Sequence, residues 1–326
     1  MRCGRCSGVE KFLIMNDTIV VVGGGISGLL LARTLRERGA NVVVLEKSRG
    51  LGGRLATKRV GAEVFDQGAQ YFTAKTERFA ALVEDWRRQG VASTWVGASA
   101  HRWIGQPSMN ALGKFLADGL DVKREAKVLS VRRVDHLWEV DIEQQPSLRV
   151  GRLALTAPVP QSLALLKAGA VELPENVASS LAALRYHPCL ALLVTLSGPS
   201  RVPPEGLALT DGPVRWIADN VKKGISPAGV AAVTVHLSPT FAAEHYTKTE
   251  SEIFPMIESV IAPWLGAAVV NVALHRWKFS EPINVFPEPC VWLDPLGLGF
   301  AGDAFGGARV EGAALSGWAL ADKMRA

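Results

Sequence analysis

Residues 18–22 form an unbroken β-branched run, and Gly23-Gly24-Gly25-Ile26-Ser27-Gly28 follows with no residue between. A run without a polar break suits a strand buried on both faces of a parallel sheet. The glycines fit G-x-G-x-x-G, and Leu31 and Leu35 then fall four apart, the spacing of a helix. Gly39 stops that helix, residues 41–45 read as a second strand, and Glu46 ends it. Each glycine has a task in this order: Gly23 for the tight turn, Gly25 for close approach of a pyrophosphate, Gly28 for packing of helix on strand. The N–H groups of the helix N-terminus, from Ile26 and Ser27 onward, favour an anion there. A carboxylate at position 46 accepts ribose hydroxyls and repels a 2′-phosphate. The pattern predicts an α/β, Rossmann-like domain that holds a dinucleotide.

Arg49-Gly50-Leu51-Gly52-Gly53-Arg54 follows directly and supplies a second glycine turn ending in a guanidinium. Simple NAD dehydrogenases do not need such an element, and Arg54 is expected to pair with the pyrophosphate. At 326 residues the chain can bury a large core or two intertwined ones. Its formal charge of +5, from 36 basic and 31 acidic residues, is scattered rather than gathered in runs, so nucleic acid is not an expected partner. No apolar stretch approaches the ~20 residues of a membrane span, and residues 1–14 lack the apolar core of a secretory signal. A cytoplasmic location is expected, with residues 1–14 a flexible extension. Cys3, Cys6, Cys189 and Cys290 offer no disulfide framework, and without a second pair at zinc spacing no metal site is expected.

Three groups of residues carry a family resemblance: the two glycine turns with Lys47 between them; Asp66-Gln67-Gly68-Ala69-Gln70-Tyr71-Phe72-Thr73; and Arg102-Trp103-Ile104-Gly105-Gln106-Pro107. Thr156-Ala157-Pro158, His275-Arg276-Trp277, Gly302-Asp303 and Arg309-Val310-Glu311-Gly312-Ala313 continue it. In this order the chain resembles the FAD-dependent amine oxidoreductase superfamily and, within it, the bacterial renalases. The resemblance implies a Rossmann-like FAD-binding domain of the flavoprotein hydroxylase and amine oxidase type, interrupted by an α+β substrate domain on a mixed sheet. The expected boundaries are 15–73, 107–160 and 282–326 for the FAD domain, and 74–106 with 161–281 for the substrate domain.

The same resemblance implies non-covalent FAD. Lys47 would stand beside the cofactor, and Gln67, Gly68, Ala69 and Gln70, with Tyr71 next to them, would line the isoalloxazine. Val128 would lie against adenine, and Asp303, after Gly302, would accept ribityl hydroxyls. The helix opened by Glu311, Gly312 and Ala313 would point its N-terminus at the flavin. Asn220, His236 and Trp216 resemble a substrate wall, Lys222 or Lys223 is placed to meet substrate phosphates, and Arg276 is the candidate charge at the flavin edge. The implied reaction is oxidation of 2- or 6-dihydro isomers of NAD(P) to NAD(P)+, with O2 as electron acceptor giving H2O2. A flavin amine oxidase is the rival reading. Against it, no tyrosine follows Tyr246 to build a C-terminal aromatic cage, and Gly306-Gly307-Ala308 holds no cysteine to tether a flavin. A non-catalytic FAD-binding protein is the third reading.

The remaining chain gives an amphipathic helix with Phe79, Leu82, Val83 and Trp86 on one face behind Thr76, and a hairpin split at Asp135-His136. Strands are expected over 190–196 and 230–237. Ile253, Ile257 and Ile261 keep helical spacing, with Pro255 expected to kink or restart their helix.

Overall fold

The computed structural model describes residues 13–95, 97, 101–229 and 231–324. The expected extension falls mostly outside these residues, as does the Cys3/Cys6 pair, but Leu13 and Ile14 already belong to the first strand, Leu13–Val22. That strand lies between Asn41–Glu46 and Leu148–Leu155, parallel to both, with Val20 opposite Val43 and Leu153. Asp121–Arg124 and Leu298–Phe300 extend the parallel array on either side. An antiparallel edge strand, Val291–Leu293, and the hairpin Val128–Val134/Leu137–Ile142 complete an eight-stranded mixed sheet.

Both faces of the first strand are covered, which is why it reads as a continuous apolar run. Val20 and Val22 point into a core shared with the hairpin, while Ile19 and Val21 meet Leu31, Leu35 and Leu320 from the helices Ile26–Glu37 and Arg309–Lys323. Helices Val159–Ala168 and Glu175–Ala182 join the hairpin side of this core through Leu166 and Leu181. Residues 161–182, expected with the substrate unit, thus pack against the first sheet. Pro158 and Pro160 end the Leu148–Leu155 strand, but the chain turns into a helix there and does not cross over at once.

The second sheet runs Leu207–Ala208, Val214–Asp219, Ala231–Leu237, Tyr186–Leu196, Val269–Pro282, antiparallel at every pairing, so the mixed sheet of the molecule is the first. Strand alternation gives this sheet two different faces. Leu190, Leu192, Val194, Ile217, Val233 and Val235 pack on the helix Glu250–Leu265 through Ile253, Ile257 and Ile261. The other face carries Leu193 and Ala232, which pack on Phe65 of the first unit, together with Thr234 and His236. The helix Glu250–Leu265 runs continuously through Pro255. Burial of its isoleucine face and the Thr249–Glu252 capping box outweigh the roughly 3 kcal/mol that an interior proline costs.

Candidate functional site at the junction of the two sheets

The first glycine turn has the shape its sequence predicts. Gly23 holds φ at +119°, where a side chain is strained, and an added Cβ would stand 2.7 Å from the Thr156 hydroxyl. That hydroxyl donates to the carbonyls of Val22 and Gly23 and so backs the loop from behind. Gly28 is closed in as well, since a Cβ there would collide with the Gly23 carbonyl oxygen. Gly25 is the opposite case, with nothing within 4 Å of the Cβ position. Gly25 also caps the Ile26–Glu37 helix, whose first turn has no capping side chain and no acidic residue. The buried Ser27 hydroxyl has no hydrogen-bond partner among the described residues. An open space in front of bare helix N–H groups and an orphaned hydroxyl fits a phosphate-bearing ligand. Glu46 is buried beside it, its Oε2 accepting the Gly24 N–H at 2.7 Å and its Oε1 the Ser48 N–H at 2.7 Å. Each oxygen keeps a second lone pair for a ribose hydroxyl.

The second glycine turn seats directly on the first. Gly52 donates to the Gly24 carbonyl at 2.8 Å and forms a bridge with Gly25, at a φ of +97°. Arg54, at the end of this turn, makes a bidentate pair with Asp303 at 2.6 and 2.7 Å and donates to the Ser280 carbonyl at 3.1 Å. Burial pulls the guanidinium pKa down, but Asp303 overrides this and raises it, so the guanidinium stays charged. The sequence assigned Arg54 to the pyrophosphate and Asp303 to the ribityl chain separately. The structure brings the two together, and each already satisfies much of the other's hydrogen-bonding capacity.

Residues 67–70 lie where the two units meet. The Gln67 carbonyl accepts two ring N–H groups of the second sheet, His236 Nε2 at 3.2 Å and Trp277 Nε1 at 2.9 Å. Burial drives the His236 pKa down to about 4, so the ring is neutral near pH 7 and Nε2 carries the proton. Gln70 Nε2 donates to the carbonyls of Asp66 and Gly68, whereas Gln67 Oε1 and Gln70 Oε1 are buried without partners. Two orphaned acceptors in one buried turn point to a ligand carrying donors. Gly68 has no room for a side chain, because a Cβ would run into the Arg54 carbonyl and stand 3.4 Å from Trp277.

Several expected site residues have other work. Asn220 is wholly buried, its Oδ1 accepting the Asp66 N–H at 3.1 Å and its Nδ2 donating to Ala232 O and Thr234 Oγ1. It ties the 66–70 turn to the second sheet, with both amide N–H groups already used within the chain. Lys223 forms a fully buried ion pair with Asp66 at 2.8 Å; burial lowers its pKa against the raising pull of that carboxylate. Lys222 Nζ donates to the carbonyls of Ser200 and Val202, so neither lysine meets substrate phosphates from where it lies. Arg276 alternates to the far face of its strand and binds the carbonyls of Tyr246 and Lys248, away from the neighbouring Trp277. Glu311 accepts the backbone N–H groups of Lys75 and Thr76 and the Thr76 hydroxyl, clamping the start of helix Glu77–Arg88. Lys47 is exposed and reaches Gln161 at 3.3 Å. Val128 sits buried in the core of the first sheet, just after Ala126, whose N–H binds the Glu46 carbonyl. Gly302 donates to Ser316 Oγ at 2.9 Å, and Gly312 packs flat on Gly307, where a side chain would collide with the backbone. Ala313, beside it in the same helix, is buried.

One group escaped the sequence reading as a group. Tyr71, Trp95 and Trp216 stand 5.6 to 6.0 Å apart, with the Arg102 guanidinium 4.5 Å from the Tyr71 ring and 5.5 Å from Trp216. Trp95 donates to the Pro204 carbonyl, whereas the buried Trp216 Nε1 has no partner among the described residues. Residues scattered over 146 positions come together here, and only the R-W-I-G run hinted at Arg102.

Fold and site together define a Rossmann-like dinucleotide-binding unit joined to an antiparallel sheet across a buried, donor- and acceptor-rich junction. Residues 21–86 match the family described as an NAD(P)-binding Rossmann-like domain. Over 85 residues the chain is 36% identical to protoporphyrinogen oxidase 2 of Arabidopsis thaliana, covering 26% of this chain and 17% of that protein. Over 68 residues it is 43% identical to flavin-containing amine oxidase B of Cavia porcellus, covering 21% of this chain and 13% of that protein. The matched segment is therefore a small part of these relatives' own length. The whole fold is shared with solved structures at low identity. A putative protoporphyrinogen oxidase from Exiguobacterium sp. 255-15 superimposes with a TM-score of 0.75 at 13% identity, covering 96% of this chain and 99% of that one. Cyclohexylamine oxidase from Brevibacterium oxydans does so at 0.70 and 12%, covering 95% and 99%. The chain has the fold of the amine oxidase type of FAD enzyme. Among the described residues no helix is long and apolar enough to cross a membrane.

Proposed function

We propose that this chain is a cytoplasmic FAD-dependent oxidoreductase, with the cofactor held non-covalently, that oxidises 2- or 6-dihydro isomers of NAD(P) to NAD(P)+ and passes the electrons to O2, giving H2O2. The first unit holds the dinucleotide and the second sheet supplies the substrate face. The observation that carries the reading is that four of the six buried polar atoms without a partner among the described residues are Ser27 Oγ, Gln67 Oε1, Gln70 Oε1 and Trp216 Nε1, in a molecule with open space in front of Gly25. Polar atoms buried without partners are costly, and a ligand spanning the junction satisfies them.

FAD, when bound, supplies the acceptor of the hydride and the route of electrons to oxygen. The protein's part is to place and shelter. Glu46 would orient the ribose, the Ile26–Glu37 helix N-terminus would face the pyrophosphate, and the orphaned oxygens of Gln67 and Gln70 would accept from donors of the ring system. His236 stays neutral, and its Nε2–H donates to the Gln67 carbonyl, which gives the ring a positioning role. Hydride transfer from a dihydronicotinamide needs no general base, since no proton is abstracted.

The matched relatives favour a second reading, a flavin amine oxidase. Anaerobic mixing separates the two. Rapid loss of the flavin visible absorbance with 6-dihydro-NAD supports the first reading. Bleaching by primary amines alone would overturn it in favour of the second.

A further inference from the structure

The aromatic wall at the junction is already occupied by cations. Arg102 covers the faces of Tyr71 and Trp216, and Lys223 Nζ stands 5.2 Å from the Trp95 ring. An ammonium substrate docks on aromatic faces because their quadrupole attracts it; here a guanidinium already takes that place. The two cations differ in their neutralisation. Lys223 is paired with Asp66, whereas among the described residues no carboxylate pairs with Arg102, whose Nη1 donates to the Glu205 carbonyl at 3.0 Å. The half-buried Arg102 therefore keeps both net charge and donor capacity. Beside it the Trp216 Nε1 donor is more than nine-tenths buried and unpartnered.

The wall is built to hold this arrangement. A Cβ on Gly206 would stand 2.5 Å from Trp216 and 3.1 Å from Trp95, so the 203–206 turn, where Trp95 and Arg102 find carbonyl partners, fits only with glycine. On the second sheet Trp216 lies opposite His236, whose ring holds the Gln67 carbonyl. The cationic wall is therefore one strand from the turn that the reading above assigns to the flavin.

We propose that Arg102 is the specificity-determining residue of the substrate face. With the Trp216 indole N–H beside it, it admits a flat unsaturated ring bearing an acceptor oxygen or anionic group and rejects ammonium substrates. This rests on the reading of the junction as the substrate side of a flavin oxidoreductase. It adds that like charge, not only shape, excludes amines.

Benzoate and benzylamine have similar shapes and opposite charges, and binding of each can be followed through perturbation of the oxidised holoenzyme's flavin absorbance, without turnover. Benzoate is expected to bind, with benzylamine at least about ten-fold weaker, the scale of one hydrogen bond to a charged group. Arg102→Glu should reverse the preference, and Arg102→Lys should retain it in weaker form. Arg102→Met, which keeps the length without the charge, should abolish the preference and serves if the reversed charge prevents folding. Equal affinity of the two probes in the wild type, or a preference unaltered by Arg102→Glu and Arg102→Met, overturns the proposal. Benzoate preference in a protein that no dihydronicotinamide bleaches leaves charge selection standing and removes the functional reading. Bleaching by 6-dihydro-NAD with no preference between the probes does the reverse.

Discussion

Lys223 and Asp66 form an ion pair 2.8 Å long in which neither side chain has any solvent exposure. Asp66 ends the strand that leads into residues 67–70, and Lys223 follows the last residues of a strand in the second sheet, so the pair ties the two units together at the turn assigned to the flavin. The other Asp66 oxygen accepts the Thr57 hydroxyl and the Met109 N–H. Removing one partner of such a pair leaves a buried charge alone, which costs about 3–5 kcal/mol. Lys223→Met should therefore lower the urea midpoint steeply, and adding Asp66→Asn should recover part of the loss. A double variant less stable than Lys223→Met would count against the pair as the source.

The second and third glycines of the motif separate stability from binding. Gly28→Ala forces a methyl into the Gly23 carbonyl and should destabilise the fold by about 1–3 kcal/mol. Gly25→Ala meets nothing within 4 Å and should melt like the wild type, yet lose FAD on dialysis because its methyl occupies the phosphate approach. Full flavin occupancy in a well-folded Gly25→Ala protein would contradict the assigned cradle.

His236 sets a pH dependence whose sign follows from its depressed pKa. The unfolded chain binds a proton near pH 6.5, while burial holds the folded ring neutral down to about pH 4. Its contribution to stability is complete above pH 6.5 and declines as pH falls toward 4. Denaturation midpoints measured between pH 7 and 4.5 should fall less in His236→Gln than in the wild type. Parallel curves would show that the acid loss arises elsewhere.

Asn220→Ala should behave as a structural variant. It leaves the buried Asp66 N–H without its partner and removes one of two bonds at the Ala232 carbonyl and at the Thr234 hydroxyl, at a cost of about 1–3 kcal/mol in unfolding free energy. Arg54→Ala should act on the cofactor, since an unpaired Asp303 places an uncompensated negative charge at the site; flavin retained per chain after dialysis measures this directly.

The local grammar of the Rossmann unit was legible because it is local: a buried strand, a glycine turn and a terminal carboxylate occupy 29 consecutive residues, 18–46, and each glycine's role follows from backbone geometry. The site on the second sheet was less legible, for a reason visible in the Val269–Pro282 strand. Sequence proximity put His275, Arg276 and Trp277 together, but alternation sends Arg276 to the opposite face. Asn220 shows a second limit: a polar residue near a site reads alike whether it faces the ligand or ties two sheets, and only its filled hydrogen bonds decide. Pro255 shows a third, since tertiary burial of the isoleucine stripe overrode a strong local helix breaker.

The Gln67 carbonyl, held by one imidazole and one indole, fixes the plane of the Gln67–Gly68 peptide from the far side. A peptide so anchored cannot turn over to follow a change in charge across the junction. Under the function proposed above, a flavin seated against this peptide would meet the same backbone whether oxidised or reduced, a frame set when the chain folded.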